Sequence, residues 1–235
     1  MGTKHLKKGK PTFELEGRLR SRLNLTNEAV IVGVDEVGTG ALAGPVVAGA
    51  VALPPGRRSL YRFLHDSKEL SPSQREQLVP DIAEQALTYA VGMMNVELIE
   101  KYGIKETRLG AMRQAVERAC EKVRVEGVIV DGRDLEMQLS FIVPSVDAHA
   151  RKLPALYENK ADGLSLSVAA ASILAKVTRD FFMLWLHQQL PQYGFDENKG
   201  YGTPSHLAAL EKYGPSIAHR TNFAPVRAAL ERRSS

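Results

Sequence analysis

Residues 30–54 read VIVGVDEVGTGALAGPVVAGAVALP, and the order of the parts in this stretch decides the fold. An apolar run meets two adjacent carboxylates, a glycine-rich turn follows, and a second apolar run leads away. The β-branched residues Val30 to Val34 read as a strand buried on both faces, with Asp35 and Glu36 where that strand ends. Successive strand side chains point to opposite faces, so both acids share one cavity only if the strand stops, bends or bulges between them. Gly38 and Gly40 supply the backbone freedom for such a turn. Two carboxylates held together resist joint ionisation unless a cation neutralises them, and an all-oxygen site suits Mg²⁺ or Mn²⁺. A metal site is the first expectation, and VVAGAV after Gly44-Pro45 is expected to be the second strand of a hairpin.

Two other readings compete at this point. Gly38, Gly40 and Ala43 fit the GxGxxG/A dinucleotide fingerprint, with Asp66 available as the ribose acid. That fingerprint needs a helix opening from the glycines, whereas the sequence turns into a strand, and Asp35 and Glu36 would face a pyrophosphate with like charge. The plainer reading is a polar hairpin tip with two solvated acids. The remainder of the chain has to decide.

With 235 residues the chain has the length for one large domain, or a domain with a smaller appendage. The longest uncharged run, Val37 to Gly56, contains repeated glycines and three prolines and starts beside two acids, so it reads as buried hairpin and not as a membrane helix. No apolar signal region is visible near the N-terminus, and the single cysteine, Cys120, excludes an intramolecular disulfide framework. A cytoplasmic location is expected. The net charge of +4 comes from the ends: residues 1–22 hold seven Lys/Arg against two Glu, residues 219–235 hold four Arg against one Glu, and the chain between them is net acidic. Global charge is therefore weak evidence for a polyanion partner, and local clusters must carry that argument.

In chain order, residues 1–12 are basic and expected to be disordered. Phe13 to Leu25 offers a short helical pattern through Leu15, Leu19 and Leu23. Ser71-Pro72 caps and opens a helix to about Gln85, and Ala86 to Val96 resembles a third strand. Ile104 to Arg124 predicts a helix, because Met112, Val116, Ala119 and Val123 recur at helical spacing; Cys120 beside that stripe reads as a small core residue. Val125 to Val130 predicts a buried strand ending at Asp131-Gly132, repeating the grammar of apolar strand, acid and glycine. Active sites of open α/β sheets gather at strand ends, which makes Asp131 a natural third ligand. Phe141 to Val143 is the candidate fifth strand, and Pro144 to Glu158 reads as irregular with short helical pieces. Asn159 to Gly163, with Asp162, precedes a long helix from Ser165 to Leu190. Leu166, Ala170, Ile173, Val177, Phe181 and Leu184 trace its apolar face, and Ser172, Lys176 and Arg179 trace a polar stripe that begins near Asp162. Tyr193 to Gly202 reads as a loop holding Lys199 and Tyr201 between glycines, suited to a phosphate and to a sugar or base. Thr203-Pro204 opens a short helix, and His219-Arg220 follows.

Six ordered segments, GVDEVGTGALAGPVVAGAV, DSKELS, VDG, KADGLSLSVAAASILAKVTRD, NKGYGTPSHLAAL and HRTNFAPV, resemble bacterial ribonuclease HII, a type 2 ribonuclease H. They extend from about residue 30 to 226, and TFELEGRL resembles the family's leading helix. The resemblance implies a ribonuclease H-like α/β fold, a mixed five-stranded sheet flanked by helices with a C-terminal helical portion. The expected division is a basic segment 1–12, a catalytic domain 13–226 and a tail 227–235. Related ribonuclease HIII has a sizeable extra N-terminal domain, for which the 29 residues before the first strand are too few, so type HII is expected.

By the same resemblance the metal-binding and catalytic acids fall on Asp35, Glu36, Asp131 and Asp162, holding two divalent cations, Mg²⁺ or Mn²⁺. The implied activity is hydrolysis of the RNA strand of RNA/DNA hybrids and nicking 5′ of ribonucleotides embedded in DNA, with water activated on one side of the phosphodiester and the leaving 3′ oxygen stabilised on the other. Lys68, Lys176 and Arg179 become candidates for backbone phosphates, and Tyr201 for the sugar at the RNA–DNA junction. Ser172, Lys199 and Arg220 complete the expected substrate surface. The 2′-OH is read partly by backbone at Gly38, Thr39 and Gly40. One departure stands out, because the family's turn is Gly-Arg-Gly and this chain has Gly38-Thr39-Gly40: both glycines are kept while a cation is missing. A monomer is expected, with no membrane partner and with a DNA clamp as a conceivable recruiter. The alternatives are a catalytically weak nucleic-acid-binding protein of this fold and, behind it, the dinucleotide oxidoreductase.

Overall fold

The structure is a computed structural model that describes residues 10–56, 58–64, 70–136, 138–144 and 150–234. Strand β1 (Val30–Val37) turns back as antiparallel β2 (Val46–Ala52), which pairs antiparallel with β3 (Thr88–Met94). On the other side of β1 lies parallel β4 (Val125–Asp131). A separate hairpin of β5 (Phe141–Pro144) and β6 (Ala150–Leu153) intervenes before β7 (Ala155–Glu158), which pairs parallel with β4. The main sheet is thus mixed and five-stranded in the order β3-β2-β1-β4-β7.

Alternation along the strands separates two cores. Val32, Val34, Val128 and Val130 face helix α3 (Val96–Cys120) and pack with its Met112, Ala115 and Val116, while Ile31 and Ile129 face α1 (Glu14–Arg22) and pack with its Leu15 and Leu19. On this second side also lies the long helix α4 (Leu166–Gln189), with α2 (Pro72–Gln85) packed outside it. Helix α4 comes down onto the sheet backbone because two strand residues lack a Cβ. One added at Gly33 would sit 2.3 Å from Val168 N, and one at Gly49 would sit 2.2 Å from Ala171 O. The start of α4 is pinned by buried Glu16, whose Oε1 accepts the Ser165 hydroxyl at 2.7 Å and the Ser167 N–H at 3.2 Å. A carboxylate at a helix N-terminus is favoured by the unpaired amides there. Helices α5 (Phe195–Asn198), α6 (Pro204–Tyr213) and α7 (Ala224–Ser234) form the C-terminal helical portion.

The architecture agrees with the sequence expectation, and several details correct it. β1 does not stop before the acids but runs through them to Val37. The fifth strand of the main sheet is β7, inside the segment read as irregular, whereas the Phe141 strand pairs, among the described residues, with β6 in a separate two-stranded sheet. β7 is four half-buried residues at a sheet edge, too short to show periodicity. Helix α3 is two helices joined across non-helical Gly103, at φ 80°; the second starts at Ile104 as the sequence predicts, and the first, from Val96 and capped by Asn95, is the part that the reading left out. Phe181 and Leu184 are exposed; beyond Val177 the buried side of α4 turns to Arg179 and Met183, which meet the C-terminal portion. Residues read as a tail after 226 continue α7, with Ala229 buried. Thr12, read as disordered, bridges to Ser165. No helix among the described residues is long and apolar enough to cross a membrane.

Gly49→Ala is expected to lower the unfolding free energy by about 1–3 kcal/mol, the range for overpacking, because the clashing atom is a helix carbonyl that cannot rotate away. Urea unfolding followed by circular dichroism measures it.

Candidate active site

The parallel pairing of β1 and β4 sets Val34 opposite Val130, so the next residues, Asp35 and Asp131, emerge side by side at one sheet end. They point to the face of Ile31 and Ile129, where α4 begins. Asp162 arrives from the 3₁₀ turn Ala161–Gly163 just before α4, after Lys160 in a left-handed conformation at φ 57°. One carboxylate oxygen from each of Asp35, Asp131 and Asp162 lies within 4.8 Å of the others. Backbone amides orient them: Asp131 Oδ1 accepts the Ala161 N–H at 3.0 Å, Asp162 Oδ1 the Gly163 N–H at 3.0 Å, and Asp35 Oδ1 the Glu36 N–H at 2.8 Å. Burial holds the Asp35 carboxyl well above the usual carboxylate range, and the neighbouring Glu36 and Asp131 push the same way against a hydrogen bond from Ser172. A cation would relieve all three costs together, and an oxygen-only donor set suits Mg²⁺ or Mn²⁺.

Glu36 is not one of the three. Because β1 continues without a bulge at the acids, alternation sends Glu36 to the α3 face, where its Oε1 lies 2.8 Å from Arg108 Nε. Its other oxygen, Oε2, is buried with no hydrogen-bond donor. Burial raises the Glu36 carboxyl above the usual range, while Arg108 draws it back down. Such a buried oxygen fits a fourth donor to a metal centre. Arg108 in turn binds Asp134, Nη1 to Oδ2 at 2.9 Å. The sequence reading named neither residue. Arg108 stands four residues before Met112, so it extends the core-facing stripe of α3 with a charge, and that break in pattern was the available signal.

The substrate candidates separate into two groups. Thr39 and Gly40 sit at a half-exposed turn, Ser172 lies beside Asp35, and Lys176 pairs with Asp180 at 2.7 Å on α4. Tyr201 is half-buried with its ring 5.3 Å from the Arg179 guanidinium. Lys68, together with Asp66, lies outside the described residues. Arg179, read as a phosphate contact, and Arg220, read as part of the substrate surface, are both fully buried instead. Arg179 donates to Pro45 O, Lys199 O and Ala43 O at 3.0, 2.9 and 3.1 Å, and a Cβ at Gly38 would lie 2.2 Å from its Nε. Arg220 donates twice to Gly44 O, at 3.0 and 2.7 Å, and to Thr39 O at 3.2 Å. Burial, then the neighbouring Arg179, pulls the Arg220 guanidinium down to about 9. Both arginines use their forks to hold the 38–45 turn and the Lys199 segment in place. The side chain of Lys199 also folds back, onto Asp196 O. The turn leads into β2 and not into a helix, which removes the dinucleotide fingerprint.

Beneath Tyr201 runs a buried chain of bonds. The Ser216 N–H donates to His219 Nδ1 at 3.0 Å, so the His219 proton sits on Nε2 and faces His206 Nε2 at 3.0 Å; His206 Nδ1–H then donates to Tyr201 O at 2.9 Å. The tautomers are assigned from this network. Stacked Tyr193 and Phe195 close around the pair. Burial, and then the adjacent His206, push the His219 imidazole down to about 4.

Residues 32–226 match the sequence profile of the family Ribonuclease HII. A Ribonuclease HII of Pelotomaculum thermopropionicum is 47% identical over 197 residues, covering 84% of this chain and 68% of the relative. The ribonuclease H2 structure from Pyrococcus horikoshii OT3 superposes with a TM-score of 0.69 at 25% identity, covering 88% of this chain and 99% of that one. The Archaeoglobus fulgidus RNase HII, solved in complex with PCNA, superposes with a TM-score of 0.65 at 24% identity over 85% and 96% of the two chains.

With a folded value near 4 and an ordinary value of 6.5, His219 takes up its proton in the unfolded chain first. Its contribution is therefore fully present above about pH 6.5 and is lost as pH falls towards 4, by up to about 3 kcal/mol. NMR titration is expected to leave the His219 imidazole neutral at pH 5.5, and urea midpoints to fall between pH 7 and pH 4.5.

Proposed function

This chain belongs to the ribonuclease HII family, and from that premise we propose that Asp35, Asp131 and Asp162, with Glu36, form the metal centre with which it nicks DNA on the 5′ side of embedded ribonucleotides. As a member of the family it is a metal-dependent endoribonuclease that hydrolyses the RNA strand of RNA/DNA hybrids. One observation carries the site assignment: three carboxylates from three separate elements converge within 4.8 Å at the sheet end where the glycine turn departs.

The bound pair of divalent cations would supply a water made nucleophilic at neutral pH and positive charge opposite the leaving 3′ oxygen. Asp35, Asp131 and Asp162 would hold the cations, and Glu36 would add its buried Oε2. The attacking water would lose a proton to solvent as its oxygen bonds to phosphorus, the P–O3′ bond would break, and the 3′ oxygen would take up a proton from solvent, leaving 3′-OH and 5′-phosphate ends. The turn 38–40, braced by Arg220 and Arg179, would present backbone to the 2′-OH, the one group that marks a ribonucleotide in a DNA strand. Tyr201, with its carbonyl tied to His206, would lie against the junction sugar, and Lys176 and Lys199 would meet backbone phosphates. The reading includes a monomer acting in the cytoplasm, consistent with a single cysteine. A DNA clamp is a partner this fold accommodates, as the Archaeoglobus complex illustrates for its own protein.

Incubation with an end-labelled duplex containing one ribonucleotide should give a single nick 5′ of it with Mg²⁺ or Mn²⁺ and none with EDTA. Asp131→Asn keeps the side chain's shape and removes a ligand charge, so folded protein with activity reduced by at least about a hundredfold is expected. Near-normal cleavage by Asp131→Asn at saturating Mg²⁺ would take Asp131 out of the site.

Thr39→Arg restores a cation at the turn. A hydrogen bond from arginine to phosphate is worth roughly 1.5–3 kcal/mol, about tenfold to a hundredfold in affinity. Binding should tighten accordingly, and the slope of log affinity against log salt should steepen by about 1. Unchanged affinity and slope in a salt titration would mean that position 39 does not face the backbone.

A further inference from the structure

We propose that Arg108 is a positioning residue for the metal centre, fixing Glu36 through one carboxylate oxygen and leaving the other for a cation. The inference rests on the metal-centre assignment above. Strand alternation carries Glu36 away from the face of Asp35, Asp131 and Asp162, and a flexible side chain placed there needs something to define its conformation. Arg108 is that group. Its Nε lies 2.8 Å from Glu36 Oε1, its Nη1 lies 2.9 Å from Asp134 Oδ2, and a Cβ at Gly132, next to Asp131, would come within 3.2 Å of its Nη2. The guanidinium is therefore wedged between the end of β4 and Glu36, which it holds as an ion pair, and both Arg108 Nε and Glu36 Oε2 are buried without a hydrogen-bond partner.

The geometry of the side chain matters as much as its charge. A planar guanidinium can address two carboxylates at once from fixed directions, which an ammonium cannot. Asp134 is largely exposed, with 66% of its side chain accessible against 11% for Glu36. The Arg108–Asp134 pair thus contributes little stability by itself, and it serves to aim the guanidinium. A bare counter-charge would act differently: it would repel a cation, and its removal would tighten metal binding.

Mn²⁺ titrated into substrate-free protein, followed by calorimetry and by the electron paramagnetic resonance of the ion, separates these roles. Arg108→Gln is expected to weaken Mn²⁺ binding by about 10- to 100-fold, the usual effect of losing a group that orients a ligand. Arg108→Lys keeps the charge and should also bind Mn²⁺ more weakly than the parent, with Asp134→Asn showing a smaller loss. In cleavage assays kcat at limiting Mg²⁺ should fall, KM for the duplex should stay constant, and excess Mg²⁺ should recover kcat. The proposal is overturned if Arg108→Lys equals the parent while Arg108→Gln binds Mn²⁺ more tightly, or if neither changes Mn²⁺ binding. Unaltered Mn²⁺ binding by Asp131→Asn would instead overturn the metal-centre assignment itself.

Discussion

The parallel pairing of β1 with β4 is the constraint on which the site depends. Its register places Val34 beside Val130, and the period-two alternation of side chains then leaves no choice about where the next residues go. Asp35 and Asp131 must emerge together on the α4 side, close enough to repel. Asp162 joins them because Glu16 pins the start of α4 and the Lys160 turn directs the chain into it. The raised Asp35 carboxyl is the electrostatic consequence of packing acids this way, and a site that is costly when empty is one that a hard divalent cation stabilises.

Around this centre the protein uses buried cations as struts. Arg179 and Arg220 are desolvated, a cost seen in the lowered values of both groups, and they offset it with five hydrogen bonds to four different carbonyls, counting the Arg179 bond to Lys199 and leaving out the weaker one to Thr39. Charge-assisted bonds of this kind are stronger than neutral ones. They lock together the glycine turn, the Lys199–Tyr201 segment and the second half of α4, which come from distant parts of the sequence. Arg108 belongs to the same class of device on the opposite face of the sheet. Positive charge near the site thus first organises the scaffold, and a chain lacking arginine at position 39 still has a turn held by arginine from behind.

Much of the fold was legible from local pattern. The hairpin, the Asp-Gly strand end at Asp131 and the long helix after Asp162 all follow from short-range signals of burial, turn chemistry and capping. The errors fell where local pattern carries no information. Edge strand β7 is too brief to show a period, the helical segment between Val96 and Gly103 is equally short, and Phe181 and Leu184 continue an apolar stripe past the last buried positions of that face.

The sequence by itself determined that two adjacent acids follow one apolar run, that a third follows another, that a fourth precedes a long helix, and that glycines separate the first pair from the returning strand. These are statements about neighbours along the chain, and nearest-neighbour stereochemistry suffices for them. Only the tertiary structure decided which acids meet. Whether Glu36 joins Asp35 depends on whether β1 bulges, and whether Arg179 and Arg220 reach solvent or carbonyls depends on what packs over them. Both are settled by contacts between residues up to 181 positions apart, such as Arg220 to Thr39. Period and propensity describe one segment at a time, and so they could identify charged side chains but not the partners those charges would find.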